Sequence, residues 1–147
     1  MIAALIIILN LFTGNSGFET ELQKYVLRNY SSYEKIEFQI TDNLSAVSKI
    51  VIDDEREPRL NKNTLLVPVK LISRNKSESK SFITLKVKLY KTVFVASQDI
   101  QKDELISNDQ FRKELKEVSQ LNGTLFNEGD FPVATKSKVK IKEGNIL

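Results

Sequence analysis

Apolar and polar residues alternate through much of the first ninety positions. Ile36, Phe38 and Ile40 are separated by Glu37 and Gln39, and Ile83, Leu85, Val87 and Leu89 by Thr84, Lys86 and Lys88. A period of two puts each apolar set on one face of a strand. The spacing predicts strands over Glu34–Thr41, Ser48–Asp53, Thr64–Ser73 and Ser81–Tyr90. The last two are joined by a short polar stretch, so they should form a hairpin. Pro68 interrupts the third strand; it has no N–H to give a ladder, which assigns it to an edge or a bulge. Asp53 to Asn63, DDEREPRLNKN, reads as a charged loop.

Ahead of these strands the period changes. Leu22, Tyr25, Val26 and Tyr30 share one side of a helix over Glu19–Tyr30, with Glu19 and Glu21 near its start and Arg28 near its end. Ser31-Ser32 ends it. Earlier still, Met1 to Phe12 is apolar except for Asn10, and no charge appears before Glu19. That run is shorter than the about 20 residues a bilayer span needs. It matches the core of a secretory leader, with small residues at Gly14, Ser16 and Gly17 for cleavage. The expectation is a leader over 1–17, no stable membrane span after its removal, and a mature chain beginning near Gly17 or Phe18.

Beyond Tyr90-Lys91 the pattern is different again. Val93 to Ala96 is a buried-strand signal, followed by Asp99-Ile100, an apolar pair at Leu105-Ile106, and Ser107 to Gln110. The last is a capping-box spacing, read as the start of a short helix carrying Phe111 and Leu115. Asn122-Gly123 marks a turn, and Phe131–Ala134 reads as a short strand. The chain then closes on an echo. Asp99 to Ile106 (DIQKDELI) aligns with Lys140 to Leu147 (KIKEGNIL): apolar, two polar, a turn residue, one polar, an apolar pair.

Composition removes several chemistries. The chain has no histidine and no cysteine among its 147 residues. The commonest general base, the commonest metal ligand, thiol nucleophiles, zinc–thiolate sites and disulfides are therefore excluded. A net charge of +3 comes without any basic cluster interleaved with aromatics, so no nucleic-acid partner is expected. The acidic run Asp53-Asp54-Glu55 lacks the spacing of a calcium loop and is broken by Arg56, so no metal site is assigned. Asp99, Asp103 and Glu104 are accounted for by turn chemistry, and five scattered glycines make no phosphate cradle. No catalytic residue and no cofactor is assigned. Lys70, Lys86, Lys88 and Lys91 form the one candidate basic face.

Val93-Phe94-Val95-Ala96, Asp99-Ile100, Leu105-Ile106 and Ser107 to Phe111, together with Ile141, Gly144 and Leu147, resemble the SAF-type domain of the flagellar P-ring assembly chaperone family (FlgA-like). Asp103 stands where the family's first turn has glycine; Asp accepts left-handed geometry better than most residues. The resemblance implies an α+β chain: a helix on a small antiparallel sheet over 18–90, then an SAF-type, β-clip-like domain over 91–147. Ala96, Asp99, Ile100, Leu105, Ile141, Gly144 and Leu147 would be architectural positions of that domain. Family members continue past the second element with a further β-rich segment, so the expectation is a truncated or shortened member. The implied function is a periplasmic, non-enzymatic chaperone binding the P-ring subunit, with client-contact residues unassigned. The alternative is a pilus-assembly or wall-binding module, with peptidoglycan as its partner.

Overall fold

The computed structural model describes residues 5–8, 16–44, 47–126, 129, 131–132 and 134–147. Among these residues the chain is mostly β, with one α-helix, near the N-terminus. It divides into two compact units, Met1–Tyr90 with Glu117–Leu121, and Lys91–Lys116 with Asn122–Leu147.

In the first unit the elements are β1 (Leu5–Ile8), α1 (Ser16–Asn29), β2 (Lys35–Ile40), β3 (Lys49–Ile52), β4 (Arg59–Asn61), β5 (Thr64–Ile72) and β6 (Glu78–Ala96), the last of which also serves the second unit. The strand order is β1-β2-β6-β5-β3, with β4 also on β5. β2, β5 and β6 are antiparallel neighbours, and β1 runs parallel to β2. Of the expected leader, residues 1–4 and 9–15 lie outside the described residues.

Alternation sets the faces. Ile36, Phe38, Leu65, Val67, Val69, Ile83, Leu85, Val87 and Leu89 are buried on one side of the sheet. Phe18, Leu22, Tyr25 and Val26 are buried along one stripe of α1. These positions are spaced as a helix needs to cover a sheet. Leu89 also gives its N–H to Ser119 Oγ at 2.8 Å, and its carbonyl accepts from Val118.

Pro68 is not at an edge. β5 has β6 on one side and β3 and β4 on the other. β3 pairs with Val69–Ile72 and β4 with Thr64–Leu66, so Pro68 falls between them. The Asn63 carbonyl accepts from Val87 N–H, which makes Pro68 opposite Phe82 a pair without hydrogen bonds. The proline nitrogen thus faces β3. There Asp53 N–H donates to the Pro68 carbonyl at 2.9 Å, with no N–H to answer it. The Asp53 carbonyl accepts instead from Arg56 N–H at 3.2 Å, and the chain turns away from the ladder.

That turn changes the reading of the charged loop. Asp53 is buried, and Arg56 Nε donates to its Oδ2 at 2.7 Å. The Arg56 guanidinium also donates to the carbonyls of Val69 and Ser81 and lies over the Phe82 ring, 4.7 Å from its centroid. Lys70 Nζ is 3.9 Å from Asp53 Oδ1. Burial disfavours the Asp53 charge, but Arg56 and Lys70 outweigh it and hold the carboxyl below its ordinary value. Part of the loop is also strand: β4 turns back into β5 through Lys62, whose φ is 53°.

In the second unit, the expected short helix is a single 3₁₀ turn, Asn108–Gln110. The capping box is present: Ser107 N–H donates to Gln110 Oε1 at 3.0 Å. Phe111 and Leu115 then belong to β7 (Phe111–Glu117), which pairs with β6. Spacing of four fits both structures here, and pairing along β6 decides it. The expected strand at Phe131–Ala134 is absent among its described residues; Ala134 sits in a turn with φ 59°, and Val133 lies outside the described residues.

Candidate functional site

The two echoed segments meet. Ile100 and Ile141 form an antiparallel bridge, each giving its N–H to the other's carbonyl, at 2.8 and 2.9 Å. Around this pair the hydrogen bonds come in matched sets, each set related by the same offset as the sequence echo. Asp103 N–H donates to Ser137 O as Gly144 N–H donates to Ala96 O. Ser137 N–H donates to Glu104 O as Ala96 N–H donates to Asn145 O. Ile106 N–H donates to Thr135 O as Leu147 N–H donates to Phe94 O. The arms are therefore related by an approximate two-fold axis through Ile100 and Ile141, and they clasp each other.

The turn positions match as well. Asp103 has φ 67° and Gly144 φ 84°, both left-handed. A Cβ at Gly144 would meet nothing within 4 Å, so alanine there is opposed by backbone conformation alone. Gly144→Ala should destabilise by about 1 kcal/mol. Asp103→Gly should fall within about 0.5 kcal/mol of the parent, the relief of strain being offset by a more flexible unfolded chain. Urea unfolding of the two variants checks the contrast.

Ala96, Ile100, Ile106, Phe111 and Ile141 form the buried cluster of this unit, with Phe94, Phe131 and Leu147 packed against it. The Phe131 ring meets Phe94 and Phe111 edge-on, at 4.7 and 5.4 Å between centroids. Asp99 is exposed. It pairs with Lys140 at 2.8 Å and accepts from Glu143 N–H at 3.0 Å, and these contacts lower its pKa. Leu105 is 57% exposed, unlike the other apolar motif positions.

The candidate basic face is divided. Lys70 belongs with Asp53 and Glu55, as Lys80 does with Glu55. Lys86 and Lys88 lie opposite Gln39 and Glu37 on the open face of the first unit's sheet. Glu37, Phe38, Gln39, Lys86 and Lys88 line a shallow groove of about 240 Å³. Lys35 binds Glu37 at 2.7 Å and lies over the Tyr90 ring, 4.6 Å from its centroid. Tyr90 donates to Glu37 at 3.2 Å. The hydrogen bond from Lys35 lowers the Glu37 pKa, and Glu37 in turn raises that of Lys35, so both stay charged across the neutral range. The surface is of mixed sign rather than cationic.

Neither Asp53 as a buried anion nor the β2 edge was singled out from sequence. Asp53 had one signal, an arginine three residues on that can return to it; the edge had none, because strand order is not written in any one segment.

No protein-family model matches the sequence, and no curated protein matches it. Solved structures do. The chain superposes on flagellar protein FlgA of Thermotoga maritima with a TM-score of 0.53 and 17% identity, over 91% of this chain and 50% of that one. Against Salmonella FlgA the TM-score is 0.60 for the closed form and 0.61 for the open form. Identities there are 10% and 9%, over 88% of this chain and 65% and 60% of those.

The fold is FlgA-like.

At these identities the likeness is one of architecture, and the chain spans half to two thirds of the length of the FlgA chains. Among the described residues of this FlgA-like chain, no helix is long and apolar enough to cross a membrane.

Proposed function

We propose that the chain is a periplasmic assembly chaperone that binds the subunit of the flagellar P ring, and that it is not an enzyme. The observation that carries this reading is the FlgA-like architecture over nearly the whole chain. The SAF-type motif positions support it, since most of them are spent on the clasp between the two arms and its core. Ala96, Asp99, Ile100, Leu105, Ile141, Gly144 and Leu147 are architectural in this reading. In this reading a leader over residues 1–17 takes the protein out of the cytoplasm, and residues 18–90 and 91–147 then act as its two domains.

Glu37, Asp53, Asp99 and Glu114 are each held below the ordinary carboxylate value by neighbouring cations and hydrogen bonds. Such groups are ionised at neutral pH and poor proton donors.

Co-purification of the full chain with purified P-ring subunit tests the proposal. Saturable, stoichiometric binding is expected. Binding to purified peptidoglycan alone, with none to the subunit, would replace the chaperone by a wall-binding role.

A further inference from the structure

We propose that the outer edge of β2 is a strand-acceptor site, which the chain fills with its own β1 and which an extended apolar segment of a partner protein takes, in parallel pairing, once β1 leaves. This deepens the chaperone reading and rests on it for the partner's identity, because it states the chemistry that a client must bring.

Three observations carry it. First, among the described residues β2 has β6 on one side and β1 alone on the other. Without β1, the backbone from Lys35 to Phe38 shows an unpaired row of donors and acceptors. Second, the groups that normally guard such an edge are turned inward. Lys35 leans over the Tyr90 ring on β6, and Glu37 is held by Lys35 and by the Tyr90 hydroxyl. Both side chains are drawn over the sheet, away from the β1 side. No proline and no bulge interrupts the pairing of β2. Third, the register with β1 defines the occupant. Ile6 and Ile8 pair with Ile36 and Phe38, and Leu5 and Ile7 with Lys35 and Glu37.

Ile36 and Phe38 are buried on the covered face. A segment taking the place of β1 must therefore be apolar, and best β-branched, at the two positions opposite them. Its alternate residues lie on the open face, opposite Lys35 and Glu37, whose charged ends can meet polar groups. The ligand is thus at least four extended residues without proline, recognised by main-chain bonds and by two apolar side chains. If the N-terminal segment is an export leader, its removal opens the site only after export.

The absence of cysteine makes the test direct. Ile7→Cys with Glu37→Cys in the full chain places two thiols at a register pair, and oxidation locks β1 in place. Ile6→Pro with Ile7→Pro in the full chain releases β1. The probe is a fluorescent, lysine-flanked peptide of residues 4–10, followed by anisotropy; its control carries proline at the places of Ile6 and Ile8. The released chain should bind the probe saturably and at least tenfold more tightly than the parent, with no binding by the locked chain or of the control. If the proline variant does not unfold cooperatively, the reduced and oxidised forms of the cysteine pair give the same comparison. Equal binding by locked and unlocked chains, or no binding by a folded unlocked chain, overturns the proposal. No flagellar protein enters this assay. A failed co-purification beside successful peptide binding would remove the client and leave the acceptor edge standing.

Discussion

Ile100→Ala should cost the second unit about 3 kcal/mol, whereas Leu105→Ala should cost less than about 0.5 kcal/mol. Both are apolar positions of one motif, only five residues apart. Ile100 has no exposed surface, joins the two arms through a reciprocal bridge, and belongs to the cluster with Ala96, Ile106, Phe111 and Ile141. Truncation there leaves a cavity beside the axis that neither arm can close without moving the other. Leu105 is mostly in water, and its alanine variant loses little burial. Urea unfolding followed by circular dichroism reads both. Equal losses at the two sites would mean that the clasp is not organised around Ile100 and Ile141.

The second large effect is at Arg56. Arg56→Leu should destabilise the first unit by about 2 kcal/mol at neutral pH, because Asp53 stays buried without its main counter-charge. A value below the usual range of about 3–5 kcal/mol is taken because the Arg56 side chain is 27% exposed and Lys70 stays near. The pH dependence should change sign. In the parent, the folded Asp53 carboxyl lies below its unfolded value, so its contribution is present above the unfolded pKa, near 3.9, and is lost as pH falls through the lower folded value. Without Arg56, burial dominates and raises the folded value. The penalty is then full at neutral pH and is relieved as pH falls through that raised value. Asp53→Asn in the Arg56→Leu background should recover much of the loss at pH 7 and abolish the reversal. Urea midpoints at pH 7 and pH 3 decide this, and a variant that weakens at acid pH as the parent does would refute the account.

Much of the first unit's sheet could be read from alternation alone, because Ile36, Phe38 and the run from Ile83 to Leu89 face a single covering layer. The helix stripe of Leu22, Tyr25 and Val26 was legible for the same reason. The segment after Gln110 was not. Phe111 and Leu115 fit a helical period, and RKELKE suits a helix in isolation, but a long neighbour with free backbone groups turned it into a strand. β4 is too short and polar to announce itself. The echo was visible as DIQKDELI and KIKEGNIL, and its pairing extends further than its spelling. Val95 and Lys136 occupy matched places in the two arms, as do Ala96 and Ser137, because backbone bonds rather than side chains maintain the symmetry there. Asp53 was hidden by its company: in sequence it looks like one charge among several in a loop, and only the turn at Pro68 buries it.

Pro68 also bears on alignments the chain does not adopt. Alternation forbids β3 to slip along β5 by one residue, since every side chain would change face, but a slip of two leaves the faces intact. A slip carrying β3 two residues further towards Leu66 would set Val51 opposite Pro68, with a missing donor inside the ladder. The observed alignment puts that gap at the last rung, where Arg56 takes up the spare carbonyl. A residue that donates no hydrogen bond on that side thus discriminates between two registers that hydrophobic pattern alone leaves degenerate.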